Sequence, residues 1–237
     1  MPYGTLFLIP VPLAENASAK TFTPFLIQTI NNIKEYIVEN EKTSRRFLKE
    51  AGLTIPQSEL IIHDYGKHSR DKSITNSFFN SLTQGNDVGL MSEAGCPGIA
   101  DPGAEIVAMA HIRGIRVVPL VGPSSILLAL MASGFNGQSF TFHGYLPIDK
   151  IDRAKRLKEL EAAAERFDQT QIFIETPFRN NPIIEEILRS CKPQTRLCIA
   201  CNLTAEEEFV KTKTILEWKK QIPDLHKKPA IFLLYKG

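Results

Sequence analysis

Residues 90–103 read Leu-Met-Ser-Glu-Ala-Gly-Cys-Pro-Gly-Ile-Ala-Asp-Pro-Gly, and this stretch decides the fold. It starts in an apolar run, continues through small residues and ends at Asp101-Pro102, a pair typical of a helix start. A strand, a loop and a helix in this order are typical of an α/β protein. Loops of this kind lie at the carboxyl edge of a parallel sheet, where small residues let the backbone approach a ligand. We therefore predict a binding loop here, with a loop that only caps its helix as the alternative.

The same alternation of strand and helix extends to both sides of this loop. Apolar and β-branched segments predict strands at residues 6–11, 87–91, 116–121, 171–175, 197–201 and 230–235, with a weaker one at 60–63. Helices are predicted between them at residues 43–51, 73–82, 101–114, 123–132, 152–166 and 182–189. Several of the strand segments are apolar at every position, as in strands that are buried on both faces. The pattern indicates an α/β protein with a largely parallel sheet.

The chain is long enough for two domains. Its 237 residues exceed the usual size of one small domain, and 43% are hydrophobic, as in packed globular proteins. Residues 118–123, Val-Pro-Leu-Val-Gly-Pro, are the best candidate for a hinge, so we predict domains at 1–119 and 120–237. The first carries 11 basic and 12 acidic side chains, a net of −1, and the second 17 and 14, a net of +3. The overall charge of +2 excludes a histone-like cation and leaves room for a local basic face.

Neither export nor a membrane span is expected from the sequence. Residues 5–13 are apolar but lack a basic start, and Pro10 and Pro12 interrupt them, so we do not expect a signal peptide. No apolar stretch approaches the ~20 residues that cross a bilayer. We therefore expect a cytoplasmic protein with no membrane partner, in which the four cysteines are reduced.

The common catalytic fingerprints are missing from the sequence. It has no Gly-x-Gly, no Gly-Lys-Ser/Thr and no Gly-x-Ser-x-Gly, which disfavours dinucleotide-binding enzymes, P-loop NTPases and serine hydrolases. Cys198 and Cys201 are three positions apart in a predicted strand, where side chains point to opposite faces. We interpret them as buried thiols, and we predict no metal centre.

Several stretches in order resemble the tetrapyrrole methylase superfamily, S-adenosylmethionine (SAM) dependent methyltransferases of the class III fold. They are residues 92–103, residues 117–125 with Ala129-Leu130 and Ser133-Gly134, residues 142–147 (Phe-His-Gly-Tyr-Leu-Pro), residues 172–175 with Arg179, and residues 228–231. The resemblance runs from residue 4 to residue 232. It is nearest to the subfamily of ribosomal RNA small-subunit methyltransferase I, which methylates a cytidine ribose 2′-oxygen.

The resemblance implies two α/β domains with a SAM cleft between them, and a homodimer. The positions that it implies for SAM contact are Pro12, Glu93, Ala94, Gly95, Gly98, Ile99, Ser124, Ser125, Ile174, Glu175, Leu203, Pro229 and Ala230. Because SAM carries no phosphate, it needs no Gly-x-Gly cradle, which fits the missing fingerprint. An apolar helix near residues 126–131 is a surface that a dimer would cover.

The sequence departs from the subfamily at positions near the expected chemistry. Residues 38–42 read Val-Glu-Asn-Glu-Lys where the subfamily usually has Ala-Glu-Asp-Thr-Arg, so only Glu39 persists. Residues 12–15 lack the glycine of the usual Pro-Ile-Gly-Asn, residues 201–205 differ from its Arg-Glu-Leu-Thr-Lys, and Glu93 stands in place of an aspartate. These departures bear on the substrate more than on the fold or on SAM binding.

Three carboxylates are candidates for the base that a hydroxyl nucleophile requires. They are Glu39, Glu41 and Glu93, which lie in segments that the resemblance implies face the cleft, and Glu39 and Glu93 are predicted as catalytic. The alternative for Glu39 and Glu41 is a solvated helix start beside Arg45 and Arg46. A basic rim for phosphates, or merely solvated charges, is formed by Arg45, Arg46, Lys67, His68, Arg70 and Lys72.

Three functions are open at this point. The first is an RNA ribose methyltransferase, with ribosomal RNA as the substrate. The second is C-methylation of a corrin, a porphyrin or another small molecule. The third is a SAM-binding protein without catalysis. A steep salt dependence of substrate binding separates the first from the second, because only phosphate contacts release many counterions.

Overall fold

The computed structural model describes residues 2–68 and 76–237, with the side chains of residues 67 and 68 excepted. Its contacts divide the chain into two compact units, Met1–Ser124 and Ser125–Gly237. The predicted boundary after residue 119 lies slightly earlier than this division. Leu120 N–H donates to the carbonyl of Leu8 at 3.0 Å, and Cys96 Sγ donates to the carbonyl of Pro123 at 3.3 Å. These bonds hold residues 120–123 to the first unit.

The first unit contains a parallel sheet. Its strands are β1 (Thr5–Leu8), β2 (Glu35–Val38), β3 (Ile61–Asp64), β4 (Val88–Met91) and β5 (Arg116–Pro119), in the order β3-β2-β4-β1-β5. Every pairing is parallel. The longer helices are α1 (Pro24–Ile30), α2 (Glu41–Glu50) and α3 (Gly103–Ile112), and Ser18–Thr21, Tyr65–His68 and Asn80–Thr83 form single turns. The predicted α/β class is confirmed, although the predicted helix at 73–82 lies partly outside the described residues.

Strand β2 is the element of this sheet that the sequence does not predict. It is buried at all four positions, yet it carries a glutamate and a tyrosine. The Glu35 carboxylate accepts from Ser81 Oγ and pairs with His63 Nε2 at 2.7 Å, and the Tyr36 hydroxyl donates to the carbonyl of Ile30 at 2.8 Å. These partners allow both polar groups to be buried. The same two residues interrupt the apolar pattern, so hydropathy does not predict the strand.

The second unit contains a mixed sheet. Its strands are β6 (Phe140–Tyr145), β7 (Thr170–Ile174), β8 (Arg196–Cys201), β9 (Phe209–Thr214) and β10 (Ala230–Tyr235), in the order β6-β7-β10-β8-β9. Only β6 and β7 are parallel, and the other three pairs are antiparallel. The helices are α4 (Ser125–Ser133), α5 (Lys150–Phe167) and α6 (Asn180–Ser190), with one turn at Ile215–Trp218. The prediction of a largely parallel sheet is therefore wrong for this unit, because β9 and β10 run in the direction opposite to β6, β7 and β8.

Strand β10 forms the centre of the second core. It pairs with β7 on one side and with β8 on the other, and Ile231 to Tyr235 are buried. The rings of Phe173 and Phe232 stack at 5.7 Å between centroids. The indole N–H of Trp218 donates to the carbonyl of Leu197 at 2.9 Å. Within the described ranges, no helix is long and apolar enough to cross a membrane.

Candidate functional site

Three loops meet at the carboxyl edge of the first sheet. They follow β1, β2 and β4, which are neighbours in the sheet. Val11, after β1, and Gly95, after β4, form an antiparallel bridge in which each N–H donates to the other carbonyl at 2.9 Å. Gly95 has a φ of +75°, which a side chain would strain. The bridge therefore fixes the small-residue loop beside the end of β1.

Glu39 and Glu93, the two predicted catalytic residues, are brought together at this edge. The backbone N–H of Glu93 donates to Oε2 of Glu39 at 3.0 Å. Burial raises the pKa of the Glu39 carboxyl, the Glu93 N–H opposes this rise, and the charges of Glu93 and Asp101 add to it. A raised pKa makes a carboxylate a stronger base. Glu39 thus has the environment of a proton acceptor.

Asp101 holds the binding loop in shape. Its carboxylate accepts from Gly98 N–H at 3.0 Å and from Gly103 N–H at 2.6 Å. Asp101 is predicted as the N-cap of this helix, but helix α3 begins at Gly103 with Pro102 as its N-cap, so Asp101 lies one residue before the observed cap. Burial raises the pKa of Asp101, although the backbone N–H bonds oppose this. Ala100 adopts a φ of +62° inside this turn.

A cavity of about 290 Å³ opens beside the bridge. Three residues predicted to contact a cofactor, Pro12, Glu93 and Ala94, lie on its wall. The remaining wall residues are Val11, Leu13, Ala14, Glu15, Asn16, Thr43, Arg46, Phe47 and Glu50. The cavity thus joins the end of β1, the loop after β4 and one face of α2.

The other predicted residues of the first unit lie away from this wall. Gly95 is buried, whereas Gly98 and Ile99 lie further along the loop, with 53% of Ile99 exposed. Ser124 is the last residue of the first unit, and Ser125 is the first residue of α4 in the second.

Glu41 is separated from Glu39 in the structure. Its carboxylate pairs with Arg45 Nε at 2.9 Å on the exposed surface of α2. Glu41 therefore lies at a solvated helix start. Glu39, in contrast, is partly buried and accepts from the Glu93 N–H. At the cavity, Nη1 of Arg46 lies 3.4 Å from Oε1 of Glu15. Of the proposed basic rim, the side chains of Lys67 and His68 and all of Arg70 and Lys72 lie outside the described residues.

The other five predicted residues of the second unit, besides Ser125, lie at one edge of its sheet. Ile174 ends β7, and Ala230 begins β10 opposite Cys201. The carbonyl of Pro229 accepts from Asn202 N–H at 3.0 Å, and Leu203 follows Asn202. Glu175 is also there. Its carboxylate accepts from Arg179 at 2.5 Å and from Thr176 N–H at 2.6 Å, and its side chain is 1% exposed. These bonds all fall on Oε1 of Glu175, so Arg179 balances the charge of this buried carboxylate.

Tyr65 is a site residue that sequence reasoning missed. Its buried hydroxyl has no hydrogen-bond partner among the residues that the structure describes. Burial raises its pKa, and the carboxylates of Asp101, Glu39 and Glu93 raise it further. The next residue is Gly66, where a Cβ would lie 2.2 Å from the carbonyl oxygen of Glu39. That glycine is the one sequence signal for this close approach, and the hydroxyl is a donor that a bound molecule can use.

The cysteines show no catalytic arrangement. Cys191, Cys198 and Cys201 are buried free thiols, and Cys198 and Cys201 belong to β8. Burial raises the pKa of each thiol, to about 12 for Cys191. These are properties of thiols that pack in a core, as predicted.

Comparison with known families identifies the chain. The family model of the tetrapyrrole (corrin/porphyrin) methylases matches residues 30–218. The chain belongs to the tetrapyrrole methylase family. The matched span of this tetrapyrrole methylase contains Glu39, the loop after β4 and helices α2 to α6. By family it is a SAM-dependent methyltransferase.

Curated relatives extend the likeness over the whole chain. A ribosomal RNA small subunit methyltransferase I of Buchnera aphidicola is 29% identical over 99% of this chain and 79% of its own length. A protein of the same name from Synechocystis is 29% identical over 86% of this chain and 69% of its own length. One from Escherichia coli O157:H7 is 26% identical over 99% of this chain and 78% of its own length.

Solved structures share the fold of this tetrapyrrole methylase. The methyltransferase CobJ superposes with a TM-score of 0.62 at 17% identity, over 100% of this chain and 95% of CobJ. The uroporphyrin-III-C-methyltransferase from Thermus thermophilus superposes with a TM-score of 0.56 at 15% identity, over 98% of this chain and 94% of its own. The predicted fold class is confirmed by this likeness.

Proposed function

We propose that this tetrapyrrole methylase transfers a methyl group from SAM to a ribose 2′-oxygen of small-subunit ribosomal RNA. The observation that carries the proposal is Glu39, a half-buried carboxylate of raised pKa held by the Glu93 N–H at 3.0 Å. Attack by a hydroxyl needs a proton acceptor, whereas attack by an electron-rich carbon needs less base assistance. The names of the curated relatives support the same substrate.

The proposed chemistry is one displacement at carbon. SAM, when bound, supplies a methyl group on a positively charged sulfur that leaves as a neutral thioether. The ribose oxygen forms the new bond to the methyl carbon, and its proton passes to the Glu39 carboxylate. The remaining task of the protein is to align the two reactants and to exclude water.

Three features of the sheet edge of the first unit support a SAM site there. Pro12, Glu93 and Ala94 border the cavity of about 290 Å³. Gly95 brings its backbone close to Val11, and no phosphate cradle is required, because SAM has none. We propose that SAM contacts these residues together with Gly98, Ile99 and Ser124 of the first unit and with Ser125, Ile174, Glu175, Leu203, Pro229 and Ala230 of the second. Glu175 would act through its backbone, since its carboxylate already binds Arg179.

Labelled SAM tests the whole proposal. The purified protein is incubated with methyl-tritiated SAM and small ribosomal subunits. The RNA is then treated with alkali, to test whether the phosphodiester bond on the 3′ side of the labelled nucleotide resists cleavage. A 2′-O-methyl group blocks alkaline cleavage, whereas a methyl group on a base or on a tetrapyrrole does not. Label only in a porphyrin or corrin pool would replace this proposal with C-methylation. SAM binding without any labelled product would leave a non-catalytic SAM-binding protein.

We also propose that the protein is a cytoplasmic homodimer. Ribosomal RNA and reduced thiols both belong to the cytoplasm, and the three buried cysteines are free. Helix α4 belongs to the second unit, where Ala129 and Leu130 pack inward and 79% of Met131 is exposed. Leu127, which is 51% exposed, lies one turn before Met131, and two exposed apolar side chains on one side of the helix support a covered face. Cell fractionation tests the location, and the oligomeric state is tested as described below.

A further inference from the structure

A groove of about 570 Å³ runs between α5 and α6 on the second unit, and none of its lining residues is among those proposed to contact SAM. Lys150, Lys155 and Lys158 of α5 line one side, and Glu186 and Arg189 of α6 line the other. The four cations outnumber the one carboxylate.

The carboxylate in the groove is already neutralised. Glu186 is buried and accepts from Arg189 and, at 2.9 Å, from Ser190 Oγ. By contrast, none of Lys150, Lys155 and Lys158 has an ion-pair partner in the described part of the chain. The groove therefore presents three uncompensated positive charges.

The neighbouring cations of α5 are used within the protein. Arg153 is buried and donates to the carbonyl of Ile148 at 2.8 Å. Arg156 pairs with Glu159 at 3.1 Å and donates to His143 Nδ1 at 3.1 Å. Arg153 and Arg156 are therefore engaged in contacts within the second unit, whereas the three lysines line the groove.

Exposed apolar side chains lie close to these lysines in the chain, and one of them, Ile151, lines the groove. Tyr145 is 57% exposed, Ile148 is 74% exposed and Ile151 is 80% exposed, at the end of β6 and the start of α5. Basic side chains interleaved with an aromatic ring are typical of surfaces that hold single-stranded nucleic acid, because bases stack on the ring. Lys150 and Lys158 are spread over about 12 Å of helix axis, so the charges form a row rather than a point.

We infer that Tyr145 and the groove between α5 and α6 bind the sugar-phosphate backbone of the substrate RNA. The inference rests on the proposed function and extends it by naming the surface that holds the RNA outside the reacting nucleotide. The three lysines contact successive phosphates, and the Tyr145 ring stacks on a base. A row of charges beside exposed apolar side chains favours this extended polyanion over a compact one.

A charge-matched pair of variants tests the surface. In the first, Lys150, Lys155 and Lys158 are changed to alanine. In the control, Lys211, Lys219 and Lys220, which are also exposed lysines of the second unit, are changed to alanine. Both variants lose three positive charges, so only the position of the charges differs. The probe is a transcript of small-subunit ribosomal RNA, titrated at several KCl concentrations.

The groove variant is expected to bind the transcript about tenfold more weakly at 0.15 M salt, and its salt slope is expected to fall by about 2, since each phosphate of a single strand contributes roughly 0.7. Its affinity for SAM, measured by calorimetry, and its kcat at saturating RNA are expected to stay unchanged, while KM rises. The control is expected to match the wild type. Tyr145→Ala is expected to weaken binding without changing the salt slope, because stacking releases no counterions.

Lysine footprinting gives a second test, which uses the wild-type protein and therefore does not depend on the folding of a variant. RNA is expected to protect Lys150, Lys155 and Lys158 from acetylation and to leave Lys211 reactive. An unchanged salt slope in the groove variant, or no protection, would overturn the inference even if RNA is methylated. Protection by an acidic porphyrin and not by RNA, or loss of a dimer in the groove variant with RNA binding intact, would overturn it too. RNA binding that depends on the lysines, without methyl transfer to RNA, would support the surface and contradict the proposed function.

Discussion

Glu39 combines two properties at the end of β2. Its carboxylate is partly removed from water, which raises its pKa, and one of its oxygens is fixed by the Glu93 N–H at 3.0 Å. The hydrogen bond orients the carboxylate, while the burial makes it more basic. Glu41, two residues later, has neither property, because it pairs with Arg45 on the exposed side of α2.

The first prediction concerns Glu39→Gln. The amide cannot accept the hydroxyl proton as the methyl group arrives, so we expect kcat to fall by about 10²–10⁴, the usual worth of general-base assistance. Calorimetry is expected to give the wild-type affinity for SAM. Glu41→Gln serves as the control and is expected to keep the wild-type kcat. A fall of less than tenfold for Glu39→Gln would remove the base from this residue and favour a carbon nucleophile.

The second prediction is a pH dependence set by the same carboxyl group. The reaction needs ionised Glu39, so the rate is expected to fall as the pH falls through its raised pKa. Stability has the opposite sign. Since the pKa is higher in the folded state, folding is favoured when Glu39 is protonated, and this contribution is lost as the pH rises through the raised pKa. A pH–rate profile that keeps its acid limb in Glu39→Gln would assign the limb to another group.

The loop after β4 is the element that joins fold and site. Its strand, its small residues and the start of its helix are all visible in the sequence, and the structure has β4 ending at Met91 and α3 beginning at Gly103. Periodicity and turn chemistry are local, so they predict such an element well. Pro12, Glu93 and Ala94 lie around one cavity because the loops that carry them follow parallel strands, which end at the same edge of the sheet.

Other elements depend on partners distant in sequence, and these were not predictable. Strand β2 is buried with a glutamate inside it, and β9, at the edge of its sheet, has only two apolar residues, Phe209 and Val210, followed by four polar ones. Tyr65, whose hydroxyl has no partner among the described residues, is brought near Glu39 only by the fold. The antiparallel pairing of β10 is likewise a matter of topology, which composition does not encode.

The third prediction places bulk in the loop. Ala94 is exposed on the wall of the cavity of about 290 Å³, so Ala94→Trp places an indole ring in this open space without displacing a core side chain. We expect SAM binding to become undetectable by calorimetry at millimolar ligand, with a Tm close to that of the wild type. Ala108→Trp, on the exposed face of α3, is the control and is expected to bind SAM normally. Normal binding by Ala94→Trp would exclude this cavity.

The fourth prediction concerns the centre of the first sheet. A Cβ on Gly89 of β4 would lie 2.7 Å from Ile9 Cδ1 and 2.7 Å from Tyr36 Cδ1. Gly89→Ala is therefore expected to lower the free energy of unfolding by about 1–3 kcal/mol, the usual cost of overpacking. Thermal unfolding is expected to shift down by about 2–10 °C. Gly137→Ala, where a Cβ would meet nothing within 4 Å, should leave the Tm unchanged.

At the scale of the molecule, the exposed side of α4 bears on assembly. The fifth prediction is a homodimer, for which light scattering would give twice the mass of one chain. Met131→Asp is expected to shift it towards the monomer, because a charge would be buried in the interface. Ile112→Asp, at an 84% exposed position on α3, is the control and is expected to remain dimeric. A monomeric wild type at micromolar concentration would contradict the dimer.

The central place of β10 has a consequence for how the protein is made. In sequence β10 is the last strand of the second sheet, yet β7 and β8 are both completed by pairing with it. While the nascent chain grows from the end of β8 to the end of β10, a matter of roughly 2–7 seconds at the usual pace of synthesis, these two strands have unpaired edges. Open edges are templates for pairing with other chains. The first sheet has all its strands by residue 119, so it can form while residues 202–235 are being synthesised. We therefore expect chaperones to act on the second half of the newborn polypeptide.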